Sequence, residues 1–210
     1  VIGFILVLLI LTLFLHPSLA GWVAVAIPIS FAGMFILASF YGITLNVISL
    51  FGMIIVIGIL VDDGIIIAEN IYQRYENGED RINAAINGTL EVLPAVFSAI
   101  LTTIVAFSLF FMLEGMLGDF FPEMGFVVIG TLIFSLIEGV LILPTHIAHS
   151  KALKGIKPSD RINKIINKTT DILNRVKTKY YAPVLRFTLK NPLTVILLFI
   201  CSFAITVSAM

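Results

Sequence analysis

The sequence predicts an all-α membrane protein, a polytopic transmembrane helix bundle with an amphipathic helix on its cytoplasmic surface. Three observations carry that prediction. Of the 210 residues, 59% are hydrophobic and only 12% charged, with a mean hydropathy of +1.09, well outside the composition of soluble domains. The apolar residues fall into runs close to the ~20 residues that a spanning helix needs. The basic residues are confined to the stretches between those runs.

Six runs are candidates for spans: 1–15, 22–41, 45–68, 93–113, 124–143 and 193–210. In the second, Trp22 and Tyr41 stand at the ends as interfacial aromatics, and His16-Pro17 marks a helix exit before it. The connections are HPSLAG, GIT, a polar segment from Ile71 to Val92, EGMLGDFFPE with its solvated acids Glu114, Asp119 and Glu123, and a basic segment over 150–191. Val1 sits inside an apolar run with no initiator Met, and the final ITVSAM lies in another, so the sequence reads as a fragment.

If every run spans, connections alternate sides and all 13 Lys and Arg fall on one side. Arg74 and Arg81 share one connection and the rest lie between Lys151 and Lys190. The positive-inside rule makes that side cytoplasmic, so the third run enters from outside. Two Asn-x-Thr matches, at Asn87 and Asn167, fall on this side and are chance matches to a glycosylation pattern.

Within the basic segment, Pro158-Ser159-Asp160 reads as a helix start with Ser159 as N-cap. From there to about residue 180, Ile162, Ile165, Ile166, Thr169, Ile172, Leu173, Val176 and Tyr180 recur at helical spacing, and Arg161, Lys164, Lys168, Arg175 and Lys179 take the other faces. A basic amphipathic helix of this kind lies along a membrane surface; an ordinary solvated helix on a soluble domain has the same pattern.

The third run, GMIIVIGILVDDGIIIAEN, sets Asp62 and Asp63 inside an apolar helix. A charged Asp there costs roughly 2.5 to 3.5 kcal/mol on insertion scales, so function is the default explanation. Helical neighbours point about 100° apart, so the two carboxyls address adjoining grooves rather than sharing a proton face to face. Gly58 and Gly64 leave room for another helix to approach. A buried carboxyl without a cation favours its protonated form, and a nearby Lys or Arg favours ionisation. A group moving between such settings takes up a proton on one side and releases it on the other. No span here contains Lys or Arg, so the cation must come from outside this sequence.

Thr102 and Thr103 in the fourth run and Glu138 in the fifth are candidates for relay support. The bland alternatives are hydroxyls bonded to their own helix and a protonated structural Glu. His146 and His149 have a spacing that could hold a metal, but no further ligand stands near, which favours interfacial residues. Cys201 excludes a disulfide framework or Cys metal cluster within the chain. No phosphate loop, nucleophile elbow or HExxH is present. Two rival readings stay open. One is an intramembrane aspartyl protease, for which Asp63 with Glu138 is the cross-helix pair that remains. The other is a structural or sensor module that transports nothing.

GILVDDGIIIAENIYQRYENGE, AAINGTLEVLPAVFSAILTTIVAFSLFF and SLIEGVLILPTHIAHS together closely resemble the first membrane half of the resistance-nodulation-division (RND) multidrug exporters, over essentially the whole chain. The resemblance implies that the sequence starts in the second transmembrane helix of that fold and ends in the seventh. It implies proton-driven antiport of hydrophobic or amphiphilic small molecules, with protons as coupling ion and no cofactor or metal. The expected setting is the bacterial inner membrane, as a lipid-embedded homotrimer working with a periplasmic adaptor and an outer-membrane channel and binding no nucleic acid. Asp62 and Asp63 match the family's paired proton-carrying aspartates, whose Lys and polar partners sit on the second half of the transporter. Paired aspartates point to the multidrug rather than the heavy-metal branch, and Glu138 has no counterpart among the family's general relay residues.

Overall fold

The structure, a computed structural model, describes residues 7–12, 15–155 and 160–208. It divides into two compact units between Pro158 and Ser159. The described residues are almost wholly helical, and four of their helices are long and apolar enough to cross a membrane.

In the first unit, residues 7–12 are helical and are followed by α1, Pro17–Tyr41. His16 and Pro17 act as a start signal as well as an exit: His16 is the N-cap, its Nδ1 accepting from the Ser18 N–H at 3.2 Å, and Pro17 takes the first turn, where its missing N–H has no role. Gly42, at φ +67°, ends the helix in the left-handed region. Helix α2, Val47–Glu76, opens on a reciprocal cap in which Asn46 Oδ1 accepts from the Ser49 N–H and Ser49 Oγ accepts from the Asn46 N–H. Helix α3, Arg81–Ser108, is capped by Asp80 and tightens into a 3₁₀ turn at Leu109–Met112. Helix α4, Gly115–Ile137, continues through a π turn, Glu138–Ile142, into the short α5, Leu143–Ala148.

Two connections are shorter than the sequence reading had them. Ile71–Val92 narrows to a turn over 77–80, because the wholly buried Ile71 carries the apolar stripe one turn beyond Ile67 and α2 runs on to Glu76. Most of EGMLGDFFPE is helical, and Glu123 is tied rather than merely solvated: it accepts from the Asn46 amide and, at 3.4 Å, from the Thr44 hydroxyl. At 30 residues, α2 is about 45 Å long and exceeds the ~30 Å hydrocarbon core. Its last two turns, with Arg74, therefore stand clear of the apolar layer.

The core of this unit is a seam between α1, α2, α3, α4 and α5, with Leu19, Val23, Val56, Ile67, Ile100, Leu132 and Ile147 almost fully buried. Small residues let backbones close on it. A Cβ on Gly64 would stand 3.0 Å from Val23, and one on Gly88 only 2.8 Å from the Ile71 Cα. Trp22 stacks on His146 with ring centroids 4.2 Å apart, joining the start of α1 to α5.

The second unit begins with α6, Asp160–Val176, passes through a π turn, Lys177–Tyr181, into α7, Ala182–Lys190, and after Asn191 enters α8, Pro192–Ser208. The axis bends by 99° at that break, where Pro192 cannot continue the ladder of α7. Ser159, the expected N-cap of α6, lies outside the described residues, as does most of the first expected span. Cys201 is exposed on α8.

Candidate functional site

Asp62 and Asp63 lie about 24 Å along α2 from Val47, within its apolar part. Their 100° separation has a clear result in the packed bundle. Asp63 turns inward and is only 8% exposed, whereas Asp62 is exposed on the surface of this unit. The inward direction follows from the buried stripe Val56, Leu60, Asp63, Ile67, Ile71 at spacings of three and four. Asp62 falls beside that stripe.

Asp63 Oδ2 is buried and has no hydrogen-bond partner. It lies beside a small cavity of about 10 Å³, which Glu138, Ser135 and Gly139 line from the far side of the seam and Ile100 from α3. Such a volume holds about one water molecule. Glu138 is 4% exposed and opens the π turn, in which the Leu143 N–H reaches back five residues to the Glu138 carbonyl. Pro144 explains the widened turn: it has no N–H for the Val140 carbonyl, and its ring would strike that carbonyl in a regular helix. Gly139 allows Ile67 to close over the turn, with Ile67 Cδ1 3.2 Å from where a Cβ would be. Proline and glycine thus place a carboxyl opposite Asp63.

The remaining predicted residues stand apart from this cavity. The Thr102 and Thr103 hydroxyls donate to the Ser98 and Ala99 carbonyls at 2.8 and 3.0 Å, back along their own helix, and neither lines the cavity. His146 is stacked on Trp22, and His149 Nδ1 lies 2.9 Å from the Thr145 carbonyl. Among the described residues, no cluster of three or more His, Cys, Asp or Glu is placed to hold a metal ion. The described ion pairs both belong to Arg74, at the C-terminal end of α2, so neither reaches the aspartates.

A polar clamp at that C-terminal end has no counterpart among the residues expected from the sequence. Asn70 Nδ2 donates to the Gly88 carbonyl at 2.7 Å and to Glu91 at 2.9 Å, and Arg74 Nε donates to the same Glu91 at 2.9 Å. Asn87 donates to Glu79, which Arg74 also holds. The signal was present as two four-residue spacings, Asn70 to Arg74 and Asn87 to Glu91, each lining one helix face. The clamp fixes α2 against α3 two turns beyond Asp63.

A profile of the AcrB/AcrD/AcrF family matches residues 1–210. The chain belongs to that family, the RND multidrug efflux transporters. Among its curated relatives are "Multidrug resistance protein MdtC" of Proteus mirabilis, 34% identical over 147 residues, 70% of this chain and 14% of the relative. Another MdtC, from Escherichia coli O139:H28, is 32% identical over 162 residues, 77% of this chain and 16% of the relative. An uncharacterized transporter of Haemophilus influenzae is 29% identical over 172 residues, 81% of this chain and 16% of the relative. The chain thus matches about one-seventh to one-sixth of its relatives' length. Family and apolar helices together make it part of a multi-pass bacterial membrane protein.

Proposed function

We propose that this chain is the proton-translocating membrane part of an RND exporter, in which inward proton flow drives export of hydrophobic or amphiphilic small molecules. The observation that carries the reading is the split environment of the adjacent carboxyls in the apolar part of α2. Asp63 is enclosed by the helices of this bundle, and Asp62 is open to whatever packs on its outer face. One carboxyl therefore follows the internal packing of the bundle and the other follows an external partner, as a device that links protonation to helix movement needs. With no Lys or Arg in the apolar spans, the cation that would discharge Asp62 is assigned to the second half of the transporter. Each proton crossing the full membrane potential supplies roughly 2.3 kcal/mol per 100 mV.

In this reading the protein sits in the bacterial inner membrane as a homotrimer, joined to a periplasmic adaptor and an outer-membrane channel. Residues 150–191 lie on the cytoplasmic face. The 99° bend before α8 suits an amphipathic helix along the surface followed by a span. The protease alternative loses its support at the site: the cavity between Asp63 and Glu138 has room for about one water and none for a peptide.

The test is Asp62→Asn and Asp63→Asn, made singly in the full-length protein, with efflux measured in cells at matched protein levels. Loss of efflux in both supports the assignment. Unimpaired efflux in both overturns it and favours a structural or sensor module.

A further inference from the structure

We propose that Asp63 and Glu138 form one buried proton site, in which a single water bridges the two carboxyls across the seam between α2 and the π turn after α4. The proposal rests on the reading of Asp63 as a proton carrier and deepens it by adding a second carboxyl. That carboxyl lies inside the bundle, away from the open face of Asp62.

Three observations converge on the site. Both carboxylate side chains are more than nine-tenths buried, at 8% and 4% exposure. Both line the same cavity of about 10 Å³, the volume of one water. Asp63 Oδ2 is buried beside it with no partner in the protein, and an orphaned buried acceptor is ordinarily satisfied by water. Glu138 owes its place to the π turn, which Pro144 imposes on the helix.

The electrostatic surroundings are simple. Where α1 and α3 meet the cavity they contribute Ala26, Val96 and Ile100, none of which ionises. On α2, Asp62 is the sole adjacent charge and it is exposed. The α5 histidines are engaged elsewhere, His146 with Trp22 and His149 beside the Thr145 carbonyl. No cation lines the cavity, so two negative charges are not tolerated together and the pair holds at least one proton as a unit. Transfer is balanced: the Glu138 acid gives its proton to the water, the water gives another to the Asp63 carboxylate, and the water is regenerated. The negative charge moves from Asp63 to Glu138.

The experiment uses the full-length transporter with Glu138→Gln, Glu138→Asp and Asp63→Asn, measuring efflux across a pH series at matched protein levels. Glu138→Gln is expected to lower efflux several-fold and to move the pH of half-maximal efflux by about one unit or more. Glu138→Asp, which keeps a carboxyl, is expected to restore most of the wild-type profile. A Glu138→Gln profile identical to wild type overturns the proposal, because it assigns the carboxyl a hydrogen-bonding role that an amide also fills. If Asp63→Asn abolishes efflux while Glu138→Gln does not alter the profile, the shared site alone fails. If Asp63→Asn is harmless, the relay reading fails with it. Should Glu138→Gln not accumulate, infrared spectra of protein labelled with ¹³C at the Glu side-chain carboxyl decide. A Glu-derived protonated-carboxyl band that disappears as pH rises and is missing from Glu138→Asp supports the site. A Glu138→Asp spectrum matching wild type overturns it.

Discussion

Replacing Gly88 with alanine puts a methyl group into a close approach between α2 and α3. The new Cβ would stand 2.8 Å from the Ile71 Cα and 3.0 Å from the Ile71 nitrogen, whereas carbon atoms rest at about 3.5 to 4.0 Å. The obstructing atoms are backbone, so no rotamer change relieves them, and the helices must part by roughly 1 Å. Overpacking of this kind costs about 1 to 3 kcal/mol, and parting also stretches the 2.7 Å bond from Asn70 to the Gly88 carbonyl. Alanine recovers about 0.8 to 1.0 kcal/mol over glycine in helix propensity, so an internal control is needed. Gly21 on α1 supplies it, because a Cβ there meets nothing within 4 Å. The two variants share the propensity gain, and their difference isolates the overpacking term of about 1 to 3 kcal/mol. The assay is thermal unfolding of the purified full-length protein, followed by helical circular dichroism. Gly88→Ala should melt below Gly21→Ala; equal or higher stability would refute the close approach of α2 and α3.

Three other outcomes are expected. Asn46→Ala removes both the cap of α2 and its link to Glu123, and should lower stability by about 1 kcal/mol or somewhat more in the same melting assay. Thr102→Val and Thr103→Val should each leave efflux near wild type at matched expression, because each hydroxyl is engaged with its own helix. Glu91→Gln removes the charge shared by Asn70 and Arg74, and should speed hydrogen exchange in the last two turns of α2 while leaving exchange around Leu19 and Val23 unchanged.

The sequence made the membrane bundle and the aspartate pair legible because both are one-dimensional signals, hydropathy and a charge where hydropathy forbids it. Helix ends were less so. Ile71 continues the buried stripe of α2 through a stretch whose composition reads as a polar connection, and polar residues beyond the hydrocarbon layer carry no hydropathy signal. Glu123 looked like a solvated loop acid because its partners, Thr44 and Asn46, stand about eighty positions earlier in the chain. At the site, adjacency alone predicted that Asp62 and Asp63 diverge, but the choice of which one turns inward required the stripe from Val56 to Ile71 to be packed. The meeting of Asp63 with Glu138 at one cavity depends on the π turn before Pro144 and on the closure of Ile67 over Gly139. None of those is periodic in sequence.

The most direct measurement is proton entry itself. Full-length protein reconstituted in vesicles carrying an internal pH indicator, with an imposed inward proton gradient and transported substrate present, should acidify the interior faster than empty vesicles. Asp62→Asn and Asp63→Asn should each return the rate to that of empty vesicles. Proton entry that persists at the wild-type rate in both variants would contradict the assignment of these carboxyls as the proton carriers.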